Sequence, residues 1–93
     1  MNKYTNLKTT PGLPYPYGAN IINDGVQFVI FSRHASSVKL LLFHSDDQFA
    51  EYSVIELDPV FNKTGDIWHI WVEGIGKNQV YGYRIDGDYN TSK

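Results

Sequence analysis

The chain sustains no helical period of ten residues or more. From residue 18 onward it breaks into short runs of β-branched, aromatic and leucine residues, each closed by turn formers. The runs are residues 19–22, 26–32 (VQFVIFS), 38–44 (VKLLLFH), 52–57 (YSVIEL), 67–72 (IWHIWV) and 79–86 (QVYGYRID). Between them lie Asn23-Asp24-Gly25 and four further loops (34–37, 45–48, 58–66 and 74–78), several built from residues that tolerate turn geometry. Six short strands separated in this way predict an all-β fold, an antiparallel sandwich. Residues 1–17 hold three of the four prolines, Pro11, Pro14 and Pro16, and show no period; they read as an extended arm ahead of a sandwich over 18–93.

Side-chain alternation assigns the faces. Val38, Leu40 and Leu42 share one side of their strand, and Tyr81, Tyr83 and Ile85 share one side of theirs. Two strands are apolar on both sides: Phe28 and Ile30 oppose Val29 and Phe31, while Trp68 and Ile70 oppose His69 and Trp71. A small sandwich needs one apolar face per sheet, so the surplus leads us to expect that something covers a second face.

Composition bounds the function. The chain has 93 residues, 42% hydrophobic and 15% aromatic, enough for one domain with a filled core. A net charge of -2 with 19% charged residues argues against nucleic-acid binding, which needs a basic stripe. There is no cysteine, so neither a disulfide framework nor a thiolate metal site is available. The polar first ten residues lack a signal-peptide core, and no apolar run is long enough to span a bilayer; a cytoplasmic location is the expectation, with no membrane partner.

Candidate chemistry is sparse. His34, His44 and His69 lie in separate segments without metal-ligand spacing, and no cofactor motif is present. Asp46-Asp47 and Asp86-Gly87-Asp88 are turn acids rather than a pair set across a sugar cleft. No serine sits in a nucleophile elbow. The chain is therefore expected to catalyse nothing by itself. Aromatic surface remains: Trp and Tyr rings stack on the C–H faces of sugars, and Trp68, Trp71, Tyr52 and Tyr89 are candidates, with Trp71 and Tyr89 preferred as platforms.

Five segments in order then point to a family. Tyr15-Pro16-Tyr17-Gly18-Ala19, Gly25-Val26-Gln27-Phe28 with Phe31-Ser32 and His34-Ala35, residues 38–43, residues 64–69 (TGDIWH) and Tyr81-Gly82-Tyr83-Arg84 together resemble the N-terminal domain of glycogen-debranching and isoamylase-type enzymes, a family-48 carbohydrate-binding module. The resemblance runs from Gly12 to Tyr89. It implies an immunoglobulin-like sandwich that accompanies a glycoside hydrolase family 13 barrel, in a parent enzyme cleaving α-1,6 branch linkages. It implies two partners: that barrel within the same polypeptide, and an α-glucan of the glycogen or starch type. The family's catalytic acids belong to its barrel, and no residue here corresponds to them. The family's tight glycogen binders use two tryptophans and a lysine; Asp47 and Tyr89 stand where the tryptophans would fall and Gly82 where the lysine would. Binding by this chain is thus expected to be weak. The chain's end just past the last matching strand is expected to be a domain boundary within a longer protein.

Overall fold

A computed structural model describes residues 7–43 and 52–87. Within them the strands are β1 (Thr9–Thr10), β2 (Gly18–Ile22), β3 (Gly25–Phe31), β4 (Ala35–Phe43), β5 (Tyr52–Glu56), β6 (Lys63–Thr64), β7 (Ile67–Glu73) and β8 (Val80–Gly87). They form two antiparallel sheets. The larger has the order β1-β7-β3-β2, with β6 also pairing to β7; the smaller has the order β5-β4-β8. The chain is an all-β, immunoglobulin-like sandwich in which the connections after β3 and β7 both pass from the larger sheet to the smaller.

Register explains the core. Val26 opposes Val72, Phe28 opposes Ile70, and Ile30 opposes Trp68, so one apolar stripe runs across β3 and β7. Val38, Leu40 and Leu42 supply the facing stripe, and all three are fully buried. Each such side chain contributes on the order of 1.5–3 kcal/mol when removed from water. On β8, Tyr81, Tyr83 and Ile85 oppose Leu42, Leu40 and Val38, so they face inward as alternation requires. The Tyr81 ring meets Phe28 edge-on at a centroid distance of 4.9 Å and ties one sheet to the other. Burial, and secondarily the neighbouring Tyr81, raises the Tyr83 phenol above its ordinary value, so it stays neutral in the folded protein.

The six runs read from alternation correspond to β2, β3, β4, β5, β7 and β8. The two remaining strands, β1 and β6, are two residues long and lie along successive halves of the same edge of β7: Thr9 and Thr10 pair with Val72 and Trp71, Lys63 and Thr64 with Trp68 and Ile67. That edge would otherwise present unpaired backbone groups.

Hairpin geometry fixes the other side of the sheet. Asn23 takes a left-handed conformation (φ 54°) between β2 and β3, as a short polar turn residue can. Gly25 follows because nothing larger fits: a Cβ there would run into the Val72 carbonyl oxygen and lie 2.8 Å from the Trp71 ring. Trp68 is the one imperfect core residue among those described. Its ring is fully buried, with the Lys63 ammonium 5.0 Å from the centroid, but its indole N–H has no hydrogen-bond partner.

Candidate functional site

Because β1 pairs with one edge of β7 and β2 with the far edge of β3, residues 11–17 must cross a face of the larger sheet. They cross the outward face, the one that alternation leaves over after the core is assigned. Two buried polar side chains on that face hold the crossing. Gln27, 2% exposed, accepts from the Leu13 N–H at 2.8 Å through Oε1 and donates to the Tyr15 carbonyl at 3.0 Å through Nε2. His69, 4% exposed, lies 2.7 Å from the Pro11 carbonyl through Nδ1 and 2.8 Å from the Thr64 hydroxyl through Nε2. A carbonyl only accepts, so Nδ1 carries the hydrogen, and in the neutral ring Nε2 accepts from Thr64. Asn20 completes the anchoring by donating through Nδ2 to the Pro16 and Tyr17 carbonyls at 3.1 and 3.4 Å. Gly12 is left-handed (φ 70°), and a Cβ there would sit 2.9 Å from Gln27 Oε1.

The cover over the second face of β3 and β7 is thus the chain's own arm. Val29, on that face between Gln27 and Phe31, is 2% exposed.

The crossing leaves two hollows on the same face. One, of about 320 Å³, is lined by Thr10, Gly12, Leu13, Ile22, Asn23, Gln27 and Trp71. Trp71 opposes Gln27 in the register, its indole rests on Gly25, and its N–H donates to the Ile22 carbonyl at 2.9 Å. The ring is therefore fixed, half-buried and flanked by the polar groups of Thr10 and Asn23. Among the described residues no charged side chain lines this hollow. An apolar plate with neutral hydrogen-bonding groups at its margin suits the C–H face and hydroxyls of a sugar. The other hollow, of about 440 Å³, is lined by Pro14, Tyr15, Pro16, Tyr17, Thr64 and Ile67.

Of the aromatic candidates, Trp71 borders a hollow and Trp68 is wholly core. Tyr89 and the side chain of Tyr52 lie outside the described residues, as do Asp47, Asp46, His44 and Asp88. Gly82 sits on the outward face of the smaller sheet opposite Leu41. Asp86 lies on that same face, its carboxylate accepting from the Ser37 hydroxyl at 3.4 Å. His34 is exposed in the β3–β4 turn. Among the described residues no three His, Cys, Asp or Glu side chains cluster as metal ligands. The arm tyrosines escaped sequence reasoning: Tyr15 and Tyr17 are 63% and 61% exposed. Their signal was the Tyr-Pro-Tyr alternation, in which prolines stiffen the backbone and leave the intervening rings displayed.

Comparison with known proteins agrees with this architecture. Residues 16–93 match the family model for carbohydrate-binding module 48, the isoamylase N-terminal domain. The chain is 46% identical over 78 residues to chloroplastic isoamylase 1 of Oryza sativa subsp. japonica, covering 82% of this chain and 10% of that protein. It is 42% identical over 87 residues to chloroplastic isoamylase 3 of the same plant, covering 87% and 11%. It is 41% identical over 84 residues to the glycogen debranching enzyme of Yersinia enterocolitica, covering 90% and 12%. The chain spans about a tenth of the length of these relatives.

Proposed function

The chain belongs to the carbohydrate-binding module 48 family, the isoamylase N-terminal domain, and from that premise we propose that it serves as the non-catalytic accessory module of an α-1,6-glucan-debranching hydrolase. It packs against that enzyme's catalytic barrel and contacts α-glucan through the Trp71 hollow. The observation that carries the reading is the lopsided coverage: more than four-fifths of this chain matches about one-tenth of proteins named isoamylase and glycogen debranching enzyme. The bond-breaking residues then lie in the rest of such a polypeptide. Tyr89 is the second expected platform.

The predicted contact is weak. One ring platform with a few neutral hydrogen bonds supports only about −4 kcal/mol, a millimolar dissociation constant. Tryptophan fluorescence reads it directly, because Trp68 is sealed in the core and Trp71 borders the hollow. Titration with maltoheptaose should shift the emission with half-saturation in the millimolar range, and Trp71→Leu should abolish the response. A response that survives in the Trp71→Leu variant, or no response in the parent chain, removes the glucan contact from this hollow. Micromolar half-saturation would instead make the chain an autonomous glucan-binding module.

A further inference from the structure

The second hollow on the arm face has a different chemistry. Resting on the reading that the module belongs to a longer polypeptide, we propose that the surface formed by Tyr15, Tyr17, Phe31 and Ile67 is the seat of the neighbouring folded domain of that polypeptide, and not a sugar site. Tyr15 and Tyr17 are more than 60% exposed, and Phe31, which opposes Ile67 in the register, is 50% exposed. Among the described residues none that lines the hollow is charged. Free-standing proteins rarely leave contiguous apolar surface of this kind open, and interface centres are enriched in tyrosine and depleted of charge.

A sugar is the poorer occupant. Apart from the phenols, the side-chain polar group lining the hollow is the Thr64 hydroxyl, and it is already engaged with His69 Nε2 at 2.8 Å. Beyond the phenols, ring hydroxyls placed here would find one side-chain hydroxyl whose hydrogen is already committed, so few of the hydrogen bonds lost to water would be replaced. A protein face asks less of such a surface. The occupant follows from length: family members of which this chain covers 10–12% carry the module on a far longer polypeptide, and that remainder is held next to it covalently.

The surface is also rigid. The Tyr15 carbonyl is held by Gln27, and the Pro16 and Tyr17 carbonyls by Asn20, so docking orders little backbone. Because both hollows lie on one face, a domain seated on the tyrosines leaves the Trp71 hollow along the rim of the interface.

Hydroxyl-radical footprinting of the complete polypeptide, set beside the 93-residue chain, tests this. Oxidation of Tyr15 and Tyr17 should slow severalfold in the complete polypeptide, while Tyr81, which is 39% exposed on the smaller sheet and does not line this hollow, should not change. Equal oxidation in both samples overturns the proposal. So does protection that appears in the 93-residue chain on raising its concentration, which marks a second copy, or on adding maltoheptaose, which marks sugar. The double variant Tyr15→Ser/Tyr17→Ser should lower the melting temperature of the complete polypeptide and leave that of the 93-residue chain in place; equal losses also overturn it. The Trp71 fluorescence titration reads a different hollow, so its failure leaves this result standing, and the reverse holds too.

Discussion

Val29 and Val54 each point away from the core, one from β3 of the larger sheet and one from β5 of the smaller, yet Val29 is 2% exposed and Val54 is 46% exposed. The difference lies in what passes over each face. The outward face of the larger sheet is crossed by residues 11–17, latched by Gln27 and His69. The outward face of the smaller sheet carries Lys39 opposite both Glu56 and Arg84, and its apolar members shelter one another: Leu41 is 9% exposed between Val54 and Gly82. A strand apolar on both sides therefore does not by itself announce a partner. In β3 and β7 much of the surplus is absorbed locally, and the part left open is the aromatic trim of the arm.

The two valines offer the largest contrast. Val29→Ala should cost about 2 kcal/mol or more, because the void forms beneath a pinned crossing that cannot collapse freely. Val54→Ala should cost under about 1 kcal/mol, mainly lost β-propensity. Denaturant midpoints at constant slope measure both. Similar losses at the two sites would mean that the arm does not seal its face in solution.

A smaller effect is expected from the latch. Gln27→Leu keeps the bulk but strips partners from the Leu13 N–H and the Tyr15 carbonyl, both of which can turn to water if the arm lifts. The cost should be about 1–2 kcal/mol, and amide exchange at Leu13 should accelerate. Unaltered exchange at Leu13 would show that Gln27 is a passenger and that the crossing is held elsewhere.

How much of this was legible beforehand divides along the same line. Alternation and turn chemistry were sufficient for the six longer strands, and they put Val38, Leu40 and Leu42 on one side of β4 and Tyr81, Tyr83 and Ile85 on one side of β8, since a period of two needs only local sequence; that the two sets oppose one another depends on strand pairing, which alternation does not give. They were silent on β1 and β6, because two residues carry no period and those strands exist only where the edge of β7 recruits them. The latches were equally hidden. His69 meets Pro11 across 58 positions, and its target is a backbone carbonyl, which no side-chain motif encodes. Of the two preferred platforms, Trp71 lies at a hollow, although nothing in its own strand foretold that Leu13 of the arm would form part of the lining. Tyr89 lies outside the described residues.

The smallest predicted effect probes the open face. Gly82 sits in β8 with no left-handed backbone to protect, and a Cβ added there would meet the Phe43 ring at 3.6 Å, an ordinary contact. Removing glycine's extra freedom in the unfolded chain should make Gly82→Ala more stable by about 0.5 kcal/mol. The same change at Gly25, where Trp71 and the Val72 carbonyl occupy the space, should be strongly destabilising. If Gly82→Ala also destabilises, measured as a lowered melting temperature, then the outward face of the smaller sheet is not open at that position. The burial of Leu41, between Val54 and Gly82, would then reflect a cover like the one the arm provides on the larger sheet.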